Sequence, residues 1–325
     1  MILQISFYIL SGLLIGATLI PFIRKDHWTF RVFEFPRLQK FILVSLTLGL
    51  GAFTLEDNLM AQILFGSLIV CAAYLAYLIF PFTPLAPKTL ASSKKQKPSL
   101  TIMISNVYQD NDRYDKLRRR IREQDPDIVL LVETNDTWKE EIDEVVRHYP
   151  YKIEYPQDNT YGLLFYSKIE MLEHDIRFLI KQEYPSIKVK LKLSNGVECL
   201  FFGVHPPPPS PTERTYSTDR DNELWMIAKE VEKIDMPIIV AGDLNDVAWS
   251  FTTDRFLDIS GLQDPRKGRG VYATFHAKVP FMRWPLDHLF CTQHFELVKM
   301  CRLKNINSDH FPVLVELTEP SSRQR

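Results

Sequence analysis

Apolar runs without a single charge dominate the first eighty residues. Residues 2–23 give one of 22 residues and residues 59–82 one of 24. Each is long enough to cross a hydrocarbon core, which takes about 20 helical residues. Between them residues 41–55 are also uncharged, but 15 residues fall short of an ordinary span. The pattern predicts about three transmembrane helices, the middle one the shortest. None of the runs has a polar face at helical period, which argues against a soluble helical bundle. A cleaved signal peptide fits poorly, because no Lys or Arg precedes the first run and two more apolar stretches follow it.

From residue 100 the pattern changes to short β-rich runs, some joined by helices. Strands are expected at 100–107, 127–133, 162–167, 186–193, 199–205, 237–243, 286–291, 295–303 and 311–317. Amphipathic helices are expected at 112–123, 136–148 and 219–234; in the last, Leu224, Ile227, Ala228, Val231 and Ile234 share one face. Strands that follow one another both directly and through helices predict mixed sheets packed together with helices outside. No internal repeat is visible. The expected organisation is a transmembrane region at 1–90, a polar linker at 91–99 (ASSKKQKPS) and an α/β domain at 100–325.

Composition narrows the class. With 46% hydrophobic and 24% charged residues in 325, the chain is neither disordered nor collagen-like. Cys71, Cys199, Cys291 and Cys301 form no CxxC pair, so neither a zinc knuckle nor a disulfide framework is indicated. The net charge of -1 hides an asymmetry: residues 1–98 carry 9 Lys+Arg and 4 Asp+Glu (+5), which leaves 30 and 36 (-6) for the rest. Lys and Arg in short loops stay on the cytoplasmic side. Arg24, Lys25, Arg31, Arg37 and Lys40 after the first run, and Lys88, Lys94, Lys95 and Lys97 after the last, predict a multi-pass protein of the cell membrane with its N-terminus outside and the large domain in the cytoplasm.

The chemistry lies where strands stop. Asn106 ends the first strand, Glu133 the second, His205 a later one and Asp243 another, with Asn245 just beyond; Asp287 opens the next, and Asp309 and His310 precede the last. Acids, amides and histidines at strand ends converge on one sheet edge. Such a set suits a divalent metal with a phosphate: carboxylates are hard ligands for Mg²⁺, amides bind phosphate oxygens, and an imidazole donates a proton or carries positive charge.

The segments SNV, VETN, GVHPPP, AGDLND, PLDHLF and NSDHFPV, in this order from Asn106 to Leu317, resemble the endonuclease/exonuclease/phosphatase superfamily. That group includes pancreatic-type deoxyribonucleases, abasic-site endonucleases, neutral sphingomyelinases and inositol polyphosphate 5-phosphatases. The resemblance implies a four-layer α/β/β/α sandwich behind the N-terminal membrane region, dependence on Mg²⁺ (or Mn²⁺), and phosphoester hydrolysis. By the same resemblance Glu133 is the main metal ligand, with Asp309 as a second carboxylate and Asn106 on metal or phosphate. Asp243 orients or deprotonates the attacking water, Asn245 holds a phosphate oxygen, and His205 donates a hydrogen bond to phosphate or leaving group. His310 stands next to the phosphorus and Asp287 fixes its tautomer. His288 reads as a packing residue, and His276 and Trp284 as parts of a rim loop. The membrane-borne arrangement is similar to bacterial members linked to glycopeptide resistance and polyprenyl-phosphate metabolism.

The functional expectation is therefore a membrane-anchored, Mg²⁺-dependent hydrolase whose partners are the bilayer and a phosphoester, a lipid-linked one favoured. A nuclease is the first alternative, weakened by the acidic balance of the large domain, since nucleic-acid affinity rests on phosphate contacts. The cluster Lys116, Arg118, Arg119, Arg120 and Arg122 reads as a solvated helix face. A non-catalytic membrane scaffold would have lost motif residues, and all are present. No protein partner is identifiable from the residues.

Overall fold

The computed structural model describes residues 2–54, 58–94 and 98–319. Leu55, the last residue of the middle apolar run, and Lys95 and Lys97 of the linker lie outside the described residues. Three long helices open the chain: α1 (Ile2–Leu19), α3 (Arg37–Thr54) and α4 (Leu59–Ile79), with the single turn α2 (Trp28–Arg31) between the first two. Among the described residues, two segments are by length and composition apolar enough to cross a membrane, Ile2–Phe22 and Leu59–Phe82, with mean hydropathies of 1.9 and 2.4. That is fewer than the three expected. Helix α3 does cover the middle run, but it begins at Arg37, and Arg37, Gln39 and Lys40 in its first turn dilute its apolar character.

Phe7, Leu14, Val44, Leu68, Cys71 and Leu75 pack the three helices together. Tyr8 near the start of α1 accepts a hydrogen bond from Asn58 at the start of α4 (3.0 Å), and Phe22 beyond the end of α1 meets Tyr74 late in α4 (5.2 Å between ring centres). Helices α1 and α4 therefore run in the same direction, and α3 returns between them.

The rest of the chain builds two sheets. Strands β1 (Leu100–Asn106), β2 (Ile128–Val132), β3 (Tyr151–Tyr155), β4 (Leu163–Ser167), β10 (Glu296–Arg302) and β11 (Val313–Thr318) form the first, ordered β10-β11-β1-β2-β4-β3. Strands β5 (Glu170–Arg177), β6 (Ser186–Lys192), β7 (Glu198–Val204), β8 (Ile238–Asp243) and β9 (Asp287–Cys291) form the second in sequence order. Side chains alternate across each strand, so β2 sends Ile128, Leu130 and Val132 inward against the second sheet and Val129 and Leu131 outward. Helices α5 (Tyr114–Gln124) and α6 (Asp136–Val146) cover that outer face through Leu117, Ile121, Trp138 and Ile142. Helices α7 (Thr218–Val231) and α8 (Phe251–Ser260) cover the other sheet through Leu224, Ile227, Val231 and Phe256. The four-layer α/β/β/α sandwich is thus present, and because both faces of each sheet are covered, β2, β4 and β8 are buried along their whole length.

All nine expected strands and three expected helices occur within a few residues of their predicted ends. The additional strands β3 and β5 are edge strands whose sequences, YKIEY and EMLEHDIR, interleave charges that discourage pairing with another chain. Three of the five basic residues of the α5 cluster are paired: Arg118 with Glu141 (2.9 Å), Arg122 with Glu144 (2.6 Å) and Arg120 with Glu123. This is the solvated face expected of it.

Candidate active site

Topology explains why chemistry gathers at one end of the sandwich. Strands β1 and β2 are parallel, as are β7 and β8, so Asn106, Glu133, His205 and Asp243 all sit at carboxyl ends on the same side. Strands β9 and β11 run the other way, which brings their starts, Asp287 and the Asp309–His310 pair, to the same edge. Asp243 and Asp287 face each other in register.

The side chains form one hydrogen-bonded series. Asn106 Nδ2 donates to Glu133 Oε1 (2.6 Å) and to Asp243 Oδ2 (3.0 Å). His310 lies between two carboxylates, Nδ1 at 2.8 Å from Asp287 Oδ2 and Nε2 at 3.5 Å from Asp243 Oδ2. Asp243 Oδ1 accepts from the Asn245 backbone N–H (2.9 Å), and Asn245 Nδ2 donates to the Pro206 carbonyl (3.0 Å) beside His205. Ser308 Oγ binds the Asn106 carbonyl (3.0 Å) and receives the His310 N–H (2.9 Å), tying the last loop to the first strand. Asn106 Oδ1 is taken by the Tyr108 N–H (2.9 Å), so this residue organises two carboxylates. The buried members are Asn106, His205, Asp243, Asp287 and His310. Glu133, Asn245 and Asp309 remain partly open and mark the mouth.

Two site residues carry backbone strain. Glu133 (φ +59°) and Asn245 (φ +51°) both hold left-handed conformations that favour glycine, a cost that persists where the surroundings impose it. Gly242 has φ +145°, and a Cβ on it would stand 1.9 Å from the Val204 carbonyl oxygen. Only glycine lets β8 come this close to β7 just before Asp243.

Electrostatics sort the titratable groups. Burial pushes Glu133 up to about 8, against the Asn106 hydrogen bond and His310, with Asp309 and Asp243 adding to the rise. Burial likewise raises Asp243, opposed first by His310. Burial alone would lower His310, but Asp287 and Asp243 outweigh it and raise the imidazole to about 10, so it is a cation at neutral pH. Burial lowers His205 to about 4, with Asp243 opposing only in part and the His310 charge adding to the fall. Among the described residues His205 Nδ1 and Asp287 Oδ1 are buried without a hydrogen-bond partner. Glu133, Asp243, Asp287 and Asp309 carry four potential negative charges against the single cation of His310. Hard oxygen donors in excess, with one acceptor unpaired, fit a divalent cation, and Asp243, Asp287 and His310 offer ligand atoms within 4.8 Å of one another. Both ring nitrogens of His310 already face carboxylates, so Glu133 at the mouth is the more accessible oxygen ligand.

A buried ionic network behind the site escaped the sequence reading. Arg220 on α7 donates to the Asn245 carbonyl (2.9 Å) and pairs with Asp221 (2.8 Å) and Asp246 (3.4 Å). His288 is more than packing: its Nε2 meets the Asp246 carbonyl (2.8 Å) and its Nδ1 meets Arg266 (2.6 Å), which pairs with Asp264 (2.9 Å). Arg31, on the segment after α1, joins the network through Asp221 (3.1 Å), and Trp249 Nε1 donates to the Glu34 carbonyl (3.0 Å). Asp246 beside the AGDLN run was the one visible signal. Arg31→Ala leaves Asp221 with Arg220 as its remaining ion-pair partner, removes the Arg31–Glu34 pair (3.5 Å), and is expected to lower the unfolding free energy in detergent by about 3 kcal/mol. An unchanged denaturation midpoint would mean that these pairs contribute nothing.

A phosphoester-cleaving site on a two-sheet sandwich is what these elements define. The chain belongs to the endonuclease/exonuclease/phosphatase family, whose model matches residues 103–310. No curated protein matches it by sequence. Solved structures share the fold: Danio rerio TDP2 complexed with a single-strand DNA product (18% identity, TM-score 0.57, 67% of this chain and 98% of that one); a Bacteroides thetaiotaomicron mannosyl-6-phosphatase (20%, 0.55, 68% and 100%); and the human Nocturnin catalytic domain with bound sulfate (17%, 0.56, 69% and 95%). Members of the family are phosphoester hydrolases, generally dependent on a divalent metal, and this chain is an enzyme of that kind.

Proposed function

We propose that this enzyme is anchored in a membrane by its N-terminal helices and hydrolyses a lipid-linked phosphoester, using Mg²⁺ or Mn²⁺. The carrying observation is the contact between the helical region and the site: the 26–36 segment that follows α1 is bound into the network holding Asn245 and Asp246. In this reading Glu133 and Asp309 hold the metal, which supplies Lewis-acid stabilisation of charge on the phosphoryl oxygens. Asp243 orients the attacking water and takes its proton. Protonated His310, held by Asp287, places positive charge beside the phosphorus, and Asn245 and His205 position the phosphate and leaving group. Residues 1–90 serve as the membrane domain, 91–99 as the linker and 100–325 as the catalytic domain.

A tethered site meets lipid headgroups at high effective concentration, while a domain of net charge -6 repels long polyanions. The full-length protein with Mg²⁺ should release phosphate or headgroup from a lipid-linked phosphoester faster than it nicks plasmid DNA at low salt. Efficient nicking without lipid turnover would favour the nuclease alternative, whose support is the fold neighbour with a bound single-strand DNA product.

Packing and charge together support one sidedness. Ser217 N–H binds the Asp26 carbonyl (2.7 Å) and Gly268 N–H binds the Pro81 carbonyl (2.7 Å), so the segment after α1 and the end of α4 both lie against the catalytic domain. The chain from α3 through α4 therefore leaves and returns on one face. In this reading the basic residues of both segments favour the cytoplasm for that face. A Lys94→Cys thiol in a Cys301→Ser background should escape an impermeant thiol reagent until cells are lysed; labelling of intact cells or spheroplasts would reverse the orientation.

A further inference from the structure

A cavity of about 570 Å³ lies between the segment that follows α1 and the rim of the catalytic domain. Its walls are predominantly apolar. Trp28, Val32 and Phe35 come from the membrane-proximal side; Pro209, Met282 and Trp284 come from the catalytic side. Its size falls within the range of roughly 300–1,000 Å³ typical of small-molecule sites. Two rim features connect it inward. The Phe275 N–H donates to the Trp284 carbonyl (2.9 Å), and the Phe275 ring lies 5.0 Å from that of His310. The prolines after His205 run from the Pro206 carbonyl, bound by Asn245, to the cavity wall at Pro209. Outward, the membrane-proximal wall is the connection from α1 to α3, and Gln39 Nε2 in the first turn of α3 clamps the Phe281 carbonyl (2.9 Å). Among the described residues, Trp284 Nε1, Arg31 Nε and Gln39 Oε1 are buried without hydrogen-bond partners, two donors and one acceptor on predominantly apolar walls.

We propose that this cavity binds the first apolar stretch of the hydrocarbon chain of a lipid phosphoester whose phosphate is seated at Asp243 and His310. The inference rests on the lipid-linked reading of the site and deepens it. A cavity whose Trp284 wall is separated from His310 by the single ring of Phe275, and whose other wall is the connection between apolar helices, suits a ligand in which phosphate and hydrocarbon are covalently joined. Trp284 Nε1 and Gln39 Oε1 provide for polar atoms between headgroup and chain. The chain makes the substrate fit, while the reacting atoms remain with the site already described.

The test uses full-length protein in nanodiscs and 4-nitrophenyl alkyl phosphodiesters with methyl, butyl and octyl chains. Each methylene moved out of water contributes up to about fourfold in affinity. Wild type should gain at least about a hundredfold in kcat/KM from methyl to octyl, and Val32→Glu with Met282→Glu should reduce that gain to about tenfold or less. Both positions are about half exposed, which favours folding of the variant. No gain in wild type, or an equal gain in the variant, overturns the proposal, the second because bilayer partition alone would then explain it. An octyl phosphate with a terminal diazirine reads binding without turnover. Crosslinks to residues 28–39 and 279–285, displaced by excess octyl phosphate, support the proposal even if no ester is cleaved, and the failure then lies with the proposed reaction. Crosslinks confined to α1 and α4, or not displaced, overturn it.

Discussion

Replacing Asp243 by Asn is expected to lower kcat by at least about a thousandfold on any phosphoester the enzyme accepts, with the protein still folded. The carboxylate is buried at the end of β8, accepts from Asn106 and the Asn245 N–H, and faces His310 at 3.5 Å. An amide of the same shape keeps the volume but removes the proposed proton acceptor and one of the carboxylates that keep His310 protonated. His310→Ala should cause a loss of similar order, because the imidazole raised to about 10 by Asp287 and Asp243 is the one cation in the cluster. The two losses should be far from additive, since in the proposed mechanism both residues act on the same reacting group. Steady-state rates of the single and double variants, beside circular dichroism to confirm folding, check this. A single variant within about tenfold of wild type would remove that residue from the assigned chemistry.

Glu133→Gln is expected to raise the Mg²⁺ concentration needed for half-maximal activity by one to two orders of magnitude, about 1.4–2.8 kcal/mol of lost metal binding. Glu133 is, with Asp309, a partly open carboxylate at the mouth, and burial raises its pKa to about 8. A group in that state gains most from a divalent cation, which compensates the cost of holding a charge out of water. The glutamine keeps one oxygen able to accept from Asn106 but cannot balance the ion. Activity against metal concentration for wild type and variant separates this from a loss of folding, which would lower the plateau at every concentration. An unchanged metal requirement would place the ion elsewhere, most simply between Asp243 and Asp287.

Much of this site was legible because strand ends in an α/β sandwich carry local signatures. Buried runs such as IVLLV and PIIVAG announce a strand through continuous hydrophobicity, and the polar residue that breaks the run is the one the sheet edge presents. Glu133, His205 and Asp243 were found in this way, and their convergence followed from strand direction. Edge strands β3 and β5 escaped because charges that protect an edge also erase its apolar pattern. Helix α8 is capped by Ser250, whose side chain accepts from the Thr253 N–H (2.9 Å), and ended by left-handed Gly261; both signals were in the sequence. The Arg31–Asp221 pair had no such local trace. Its partners are 190 positions apart, and nothing in an apolar run followed by a basic loop says which surface that loop will meet. The same non-local packing forms the cavity, so the rim loop could be named from sequence but its membrane-proximal wall could not.

The central claim is that Glu133, Asp243, Asp309 and His310 form one metal-dependent hydrolytic site. The measurement that tests it most directly is phosphoester hydrolysis by the full-length protein after exhaustive chelation, followed by addition of Mg²⁺ or Mn²⁺. The account predicts no turnover above background in excess chelator and recovery on adding either ion, because four carboxylates surround a single imidazolium and include no thiolate to retain a softer metal. Full turnover in excess chelator would contradict it.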